Sequence, residues 1–215
     1  RRPLVCVLYH YMASIVSFLI SLFDLILPPR ASERLVRNLT LEDLFTIASP
    51  ENGMLPYHDP RVTALVWEVK YRTNKRALTL AGHYLAEQVL AVAGEELGKP
   101  LLIPVPMHRN RRKKRGHNQT ELLCTALLTH ARDYADYAPQ ALMRVVDTPP
   151  QQGLERTKRL KNVHDSMKAV SEIVKSRVCI VVDDVTTTGA TLEEARRALH
   201  QAGARRVHVV TLAQS

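Results

Sequence analysis

Two adjacent carboxylates precede a threonine-rich turn near the end of the chain. Asp183 and Asp184 follow the apolar run 178–182, and the next residues read VTTTGAT. Two neighbouring acids after a buried strand repel each other and lose hydration unless something cationic or hydroxylated meets them, such as a sugar or a metal ion. The hydroxyl and backbone N–H groups of the turn can form a cup for one phosphate at a helix N-terminus. This segment is therefore our first candidate for a ligand site.

The turn also has a purely structural interpretation. Thr191 and Glu194 have the spacing of a capping box, which would only start a helix. Against this, Gly189 allows a close backbone approach that a Cβ would block. A P-loop is excluded because no Gly-Lys-Ser/Thr follows the turn, and the sequence contains no GxGxxG.

A strongly basic segment follows an earlier apolar run. Six of the seven residues from 109 to 115 are cationic, and they come directly after the run 101–106. By itself such a segment is a solvated loop or a nucleic-acid patch. If both segments leave the same edge of a sheet, however, the cations of this predicted loop face the phosphate cup and the carboxylates. A sugar carrying two phosphorylated groups would fit between them.

Alternating strands and helices are required to bring these segments together. Apolar runs alternate with helical patterns along the second half of the chain; the runs lie at 101–106, 141–146, 178–184 and 207–212, and the helical patterns at 118–132, 151–162 and 191–202. This alternation predicts an α/β fold with a mostly parallel sheet flanked by helices. The uniformly apolar run 178–182 indicates a strand buried on both faces. We expect this domain to span 59–215, with helices between 60 and 97 before the first core strand.

The remaining residues, 1–58, are predicted to form an N-terminal helix and a connector. The apolar run 11–27 is shorter than the roughly 20 residues of a spanning helix and contains Asp24. Its serines and Asp24 share one strip, which predicts an amphipathic helix that covers its own domain or a partner; membrane-surface attachment or a signal sequence is the lesser alternative. A short helix near 40–48 is expected to be capped by Thr40 and Asp43.

Composition limits the class of protein and its partners. The sequence is 46% hydrophobic and 24% charged, which excludes extended disorder, and its formal net charge of +9 favours polyanionic partners. Cys6, Cys124 and Cys179 are far apart, so neither a disulfide framework nor a CxxC metal site is expected. A reducing cytoplasm is the expected location.

The stretch 181–191 resembles the signature of type I phosphoribosyltransferases, which bind phosphoribosyl pyrophosphate with Mg²⁺. The resemblance implies that Asp183 and Asp184 hold the ribose hydroxyls and that 186–191 hold the 5′-phosphate. Mg²⁺ would then be bound through the ligand, without a direct set of protein ligands. The implied ligand-binding loop consists of Asp183, Asp184, Val185, Thr186, Thr187, Thr188, Gly189, Ala190 and Thr191.

The resemblance extends to a narrower family through the segments 59–77 and 104–123, followed by Arg144 and the run 156–162. Their order and spacing are similar to the ComF family of competence-associated, phosphoribosyltransferase-like proteins. This similarity implies that Arg109 contacts pyrophosphate and, with the acid pair, is catalytic. It implies a further set of residues around the site: Lys70, Tyr71, Arg115, Gly116, Asn118 and Gln119.

Many ComF-type proteins carry a four-cysteine zinc module near the start. Here no cysteine occurs between Pro29 and Cys124. Zinc is therefore not expected.

Two functions remain open at this point. An enzyme would transfer a phosphoribosyl group to an unknown acceptor, with Mg²⁺ and the cations stabilising the departing pyrophosphate. A binding protein would handle single-stranded DNA during natural transformation, beside a DNA-uptake helicase, with a regulatory or vestigial phosphoribosyl site. Its phosphate contacts would be Arg111, Arg112, Lys113 and Lys114. The absence of aromatic residues within 109–115 argues against a dedicated single-strand platform.

Overall fold

The computed structural model describes residues 30–147 and 164–215. Its centre is a five-stranded parallel sheet with the strand order β1-β7-β6-β2-β3. The strands are β1 (Leu55–Pro56), β2 (Leu101–Pro104), β3 (Asp136–Tyr137), β6 (Val178–Thr186) and β7 (Arg206–Gln214). The expected α/β class, with a mostly parallel sheet flanked by helices, is confirmed.

Helices cover both faces of this sheet. Those before the basic segment are α1 (Ala31–Asn38), α2 (Leu41–Ile47), α3 (Pro60–Trp67) and α4 (Lys75–Gly94), with a π-helical turn at Glu68–Arg72 between the last two. The others are α5 (Arg109–Arg115), α6 (Gln119–Ala131), α7 (Ser171–Val174) and α8 (Ala190–Gln201).

Strand β6 is buried on both faces, as its apolar run predicts. Ile180 and Val182 belong to a core shared with α3, α4 and α6, whereas Cys179 and Val181 belong to a second core shared with α8. Successive side chains of a strand point to opposite faces, so this one strand contributes to both cores. Strand β6 therefore forms a rigid base for the acids at its end.

Helices α4 and α6 cross closely at Gly82. A Cβ at this position would lie 2.6 Å from the Cβ of Ala126, so only glycine allows the observed approach. This crossing sets the position of α6, whose N-terminus borders the candidate site.

The expectation for the run 141–146 was only partly right. Its residues Leu142–Arg144 form β4, which pairs antiparallel with β5 (Met167–Ala169) outside the main sheet. The pattern of apolar residues does not reveal the partner of a strand this short.

The described part of 1–58 packs against the same core. The predicted cap is confirmed, because Thr40 and Asp43 form a capping box at the start of α2. Arg76 of α4 donates to the carbonyl groups of Val36 and Leu39 at 3.1 Å in both cases. The division at residue 58 stays a prediction. The amphipathic helix at 11–27 and the helix at 151–162 lie outside the described residues.

A search of the described residues for membrane spans finds no helix with the necessary length and apolar character.

Candidate functional site

A cleft of about 250 Å³ opens at the carboxyl ends of β2 and β6. The parts of the fold that border it are the π-helical turn, the segment after β2, α5, the start of α6, the end of β4, the last residues of β6 and the start of α8. This is the edge at which parallel α/β sheets bind their ligands.

The π-helical turn brings a cation to the acid pair. The buried carboxylate of Glu68 accepts hydrogen bonds from Ser32 Oγ at 2.6 Å and from Asn74 Nδ2 at 3.1 Å. Thr73 then takes a left-handed conformation with φ of 49° and ends the turn. The clamped turn places Lys70 Nζ 3.3 Å from Asp184 Oδ2. Single π-helical turns occur often at functional sites.

Asp183 and Asp184 are both buried, at 7% and 4% exposure. Asp183 Oδ1 accepts from the N–H of Asp184 at 2.9 Å, and Asp184 Oδ1 accepts from the N–H of Val185 at 2.7 Å. Asp184 Oδ2 forms an ion pair with Lys70 but, among the described residues, accepts no hydrogen bond. The cleft thus has a buried acceptor available to a hydroxyl group.

Burial, and next the charge of Asp184, raise the pKa of Asp183 to about 8. Lys70 and Arg144 act in the opposite direction. The site therefore holds a buried acid pair whose second charge is disfavoured without a ligand.

Three cations line the cleft around these acids: Lys70, Arg111 and Arg144. Burial, and next the nearby Arg111, lower the pKa of the Arg144 guanidinium, while Asp183 opposes this effect. Two guanidinium groups held close enough to disfavour each other's charge are well placed to receive an anion with several charges.

A smaller cavity of about 40 Å³ lies at the N-terminus of α8, lined by 185–191 and Asp183. Gly189 stands at the N-cap position with φ of 77°, and no side chain caps the helix. Within the part of the chain that the structure describes, the buried Thr188 Oγ1 has no hydrogen-bond partner. This cavity offers helix N–H groups and a hydroxyl to an anion, as a phosphate cup requires.

The alternative interpretation of this turn as a capping box is wrong. Glu194 does not reach back to the N-cap. Its carboxylate accepts from the N–H of Met167 at 2.9 Å and pairs with Arg197 at 2.7 Å. Glu194 therefore joins α8 to β5 and leaves the start of the helix open.

The basic segment forms a helix, and the prediction of a loop was wrong. His108 caps α5 by accepting from the N–H of Asn110 at 3.3 Å, and Gly116 ends it with φ of 84°. Between these ends, lysine and arginine are good helix formers. The helix gives its cations different environments, which a flexible loop would not do.

Comparison with known proteins supports the phosphoribosyltransferase interpretation. The sequence model described as "Phosphoribosyl transferase domain" matches residues 126–215. DNA utilization protein YhgH of Salmonella typhi is 30% identical over 161 residues, which cover 74% of this chain and 69% of that protein. Competence protein F of Haemophilus influenzae is 35% identical over 117 residues, which cover 53% and 50% of the two chains. This chain belongs to the ComF family.

Solved structures with a similar fold include two hypoxanthine phosphoribosyltransferases. The one from Staphylococcus aureus has a TM-score of 0.42 at 12% identity and covers 64% of this chain and 65% of its own. The one from Trypanosoma cruzi has a TM-score of 0.42 at 13% identity and covers 65% of each chain. At such low scores, neither structure adds an argument about function.

Tyr71, Arg109, Arg115 and Gly116 line neither described cavity, and the other site residues expected from the two resemblances divide into two groups. Those whose side chain or backbone borders the main cleft are Lys70, Asn118, Gln119, Asp183, Asp184, Val185 and Thr191. Those that line the phosphate cup without reaching the main cleft are Thr186, Thr187, Thr188, Gly189 and Ala190.

The expected contacts on the basic helix are distributed differently. Arg109 is exposed and is absent from the described wall of the cleft, whereas Arg111 takes part in that wall. Arg112 makes a two-pronged ion pair with Glu121, at 2.6 and 2.8 Å. Lys113 and Lys114 are exposed and are absent from the described wall of the cleft.

Asn118 and Gln119 link the basic helix to the sheet. Asn118 Nδ2 donates to the carbonyl of Val105 at 3.1 Å, and Thr120 Oγ1 donates to the same carbonyl at 2.7 Å. These bonds fix the start of α6 at the end of β2. Gln119 Oε1 accepts from Arg115 Nη1 at 2.9 Å, so Arg115 lies beside the cleft without lining it.

Sequence analysis missed three participants. Arg111 was assigned to DNA, and Arg144 entered only through the family resemblance, although a lone arginine in an apolar run is itself a signal of an internal partner. Trp67 was not among the candidate site residues, although it is 47% exposed. Its exposure could be found only from the fold, because the pattern of α3 does not show which face is covered.

Proposed function

We propose that this ComF-family protein binds phosphoribosyl pyrophosphate with Mg²⁺ and transfers the phosphoribosyl group to an acceptor during DNA uptake. One observation carries the proposal. The buried and incompletely hydrogen-bonded acid pair, the phosphate cup and three cations all meet at one edge of the sheet. A polar hydroxylated sugar with phosphate groups at two positions complements all three.

Each group of residues has a separate role in this proposal. The ribose hydroxyls donate to Asp183 and Asp184, because these carboxylates are buried acceptors. The 5′-phosphate occupies the cup at the start of α8, where N–H groups and the helix dipole favour an anion. The pyrophosphate lies towards Lys70, Arg111 and Arg144, whose fixed positive charges stabilise the charge that develops on the leaving group.

The donor set also fits Mg²⁺ held together with the ligand. In the described part of the chain, no cluster of three or more histidine, cysteine or acidic side chains could hold a metal ion on its own. The two acids supply oxygen atoms of the kind that Mg²⁺ prefers, and the phosphates of a substrate would complete its shell. When bound, Mg²⁺ neutralises charge on the departing pyrophosphate.

Single-stranded DNA is a second candidate ligand. Arg109, Lys113 and Lys114 are exposed on the basic helix and do not line the described wall of the cleft that holds the acid pair. Sequence-independent binding of DNA depends on such phosphate contacts. The relatives called DNA utilization protein YhgH and competence protein F make this ligand relevant to the family.

Isothermal titration calorimetry with phosphoribosyl pyrophosphate tests the proposal. The wild-type protein should bind in the presence of Mg²⁺, and Asp184→Asn should bind about 100-fold more weakly, since a ribose hydroxyl loses its charged acceptor. Asp133→Asn is the matched control, because Asp133 is exposed in the turn after α6. It should bind as the wild type does.

Equal binding by the wild type and Asp184→Asn would contradict the placement of the ribose on the acid pair. A wild-type protein that binds no phosphoribosyl pyrophosphate with Mg²⁺ would refute the proposed function as a whole.

A further inference from the structure

Two large aromatic side chains are exposed beside the cleft. Trp67 is 47% exposed and Tyr71 is 46% exposed. Their ring centroids are 4.4 Å apart, and the rings are tilted by 46°. Aromatic side chains contribute most to stability when their rings are buried. An exposed pair in direct contact therefore indicates a surface for a ligand.

Neighbouring contacts place this pair beside the cleft. Tyr71 follows Lys70 in the π-helical turn, and Lys70 is the residue that reaches Asp184. The Arg115 guanidinium lies over the Tyr71 ring, 5.1 Å from its centroid. Arg115 in turn donates to Gln119, which lines the cleft.

The support beneath the two rings is fixed. The buried Glu68 clamps the π-helical turn from both sides, through Ser32 and Asn74. His117 Nε2 lies 3.4 Å from the carbonyl oxygen of Lys70 and ties the turn to the end of the basic helix. A ligand that stacks here does not have to order the backbone first, which lowers the entropic cost of binding.

We propose that Trp67 and Tyr71 bind a nucleobase by stacking, with its attached phosphate towards Arg115. The combination of ring faces with a guanidinium suits this chemistry, since every base has a π-face and carries a phosphate nearby in a nucleotide or a strand. An aliphatic ligand would use the rings but not the cation. The inference deepens the proposed function, on which it rests for placing the base beside a phosphoribosyl cleft.

The aromatic rings beside the basic helix come from another part of the chain. No aromatic residue lies within 109–115, but the fold brings Trp67 and Tyr71 to that helix from a different segment. The protein therefore combines stacking rings and cations on one surface without having them adjacent in sequence.

Intrinsic fluorescence reports on the surface directly, because Trp67 is the single tryptophan of the sequence. Three probes are titrated: thymidine monophosphate, a short oligothymidylate, and an abasic strand with the same number of phosphates. Stacking of a base should quench the tryptophan emission, whereas the abasic strand should leave it unchanged. N-acetyltryptophanamide, titrated in parallel, corrects for absorption by the bases.

Tyr71→Leu keeps the tryptophan and should weaken binding of the base-containing probe about tenfold, the typical effect of losing one stacking ring. Tyr134→Leu is the matched control, because Tyr134 is 54% exposed in the turn after α6, away from the cleft. It should bind as the wild type does.

Quenching by the mononucleotide would show that a free nucleotide is sufficient to supply the stacked base. Quenching by the oligothymidylate alone would show that the base must belong to a strand. Three results would overturn the proposal: no quenching by either probe, equal quenching by the abasic strand, or unchanged affinity in Tyr71→Leu. The calorimetric binding of phosphoribosyl pyrophosphate is measured separately, so its failure is distinguishable from a failure of stacking.

Discussion

Buried carboxylates lie at both edges of the sheet, but only the one at the amino edge has several cationic partners. At the amino edge, the Glu96 carboxylate pairs with Arg206 at 2.7 Å, His208 at 2.9 Å and Arg205 at 3.4 Å. At the carboxyl edge, Asp183 and Asp184 share one lysine ion pair, and among the described residues Asp184 Oδ2 accepts no hydrogen bond.

The two environments shift carboxyl pKa values in opposite directions. The hydrogen bond from His208 lowers the pKa of Glu96, helped by Arg206. Burial and the neighbouring acid raise the pKa of Asp183. The Glu96 carboxylate therefore stabilises the fold at the amino edge, whereas the acid pair at the carboxyl edge is available to a ligand. A carboxyl group whose pKa is strongly perturbed in a cleft is a candidate for a functional site.

Neutralising one acid at each edge should give the largest difference in stability between the two edges. Asp184→Asn should cost the ligand-free protein no more than about 0.5 kcal/mol, because the lost repulsion with Asp183 offsets the lost ion pair with Lys70. Glu96→Gln should lower the free energy of unfolding, since its three cationic partners lose their shared charge. Urea denaturation of both variants measures the difference.

A large loss of stability in Asp184→Asn, together with no loss in Glu96→Gln, would reverse the assignment of the two edges. The structure would then use the acid pair as a folding element.

The pH dependence of stability should also have opposite signs at the two edges. The folded-state pKa of Asp183, about 8, is above its ordinary value of 3.8, so the folded state holds a proton that the unfolded state releases. The stability from this group is fully present below about pH 4 and is lost as the pH rises towards 8, by at most about 1.4 kcal/mol per unit. Glu96 has the opposite sign, and its contribution is lost as the pH falls through its depressed pKa.

Urea denaturation between pH 5 and pH 8 measures this trend. The decline should be smaller in Asp184→Asn, which removes the charge that helps to raise the pKa of Asp183. A decline that is identical in the two proteins would contradict the coupling between the acids.

The smallest expected effect concerns the exposed lysines of the basic helix. The double variant Lys113→Gln, Lys114→Gln should reduce the slope of log K against log salt for single-stranded DNA by roughly 1.4, or about 0.7 for each lost phosphate contact. Binding of phosphoribosyl pyrophosphate should not change, because neither lysine is in the described wall of the cleft. Filter binding at several salt concentrations checks the slope.

If the double variant leaves the salt slope as it is in the wild type, DNA does not contact these lysines. Arg112→Gln provides a comparison on the same helix, since its guanidinium is already paired with Glu121.

Much of the fold could be predicted from apolar periodicity. The core strands and the acids at the end of β6 follow from a run that is buried on both faces, and Thr40 and Asp43 carry a local cap signal. These features depend on residues close together in the sequence.

The features that could not be predicted depend on distant partners. Strand β4 pairs with a three-residue strand beyond it, and Glu194 accepts a hydrogen bond from the N–H of Met167 instead of capping the start of its own helix. The selection of Arg111 over Arg109 depends on which side of α5 faces the cleft. These contacts depend on the tertiary fold, and the pattern of residues in a single sequence does not show which distant segments will meet.

Thermal unfolding with phosphoribosyl pyrophosphate and Mg²⁺ tests the central claim most directly, namely that the carboxyl edge of the sheet is a ligand site. At about 100 times the dissociation constant, the ligand should stabilise the wild-type protein by roughly 2.7 kcal/mol. The shift should require Mg²⁺. At the same ligand concentration, Asp184→Asn, which binds about 100-fold more weakly, should keep only about 0.4 kcal/mol of it, and Asp133→Asn should keep all of it. An unfolding temperature of the wild type that does not respond to the ligand with Mg²⁺ would contradict the claim.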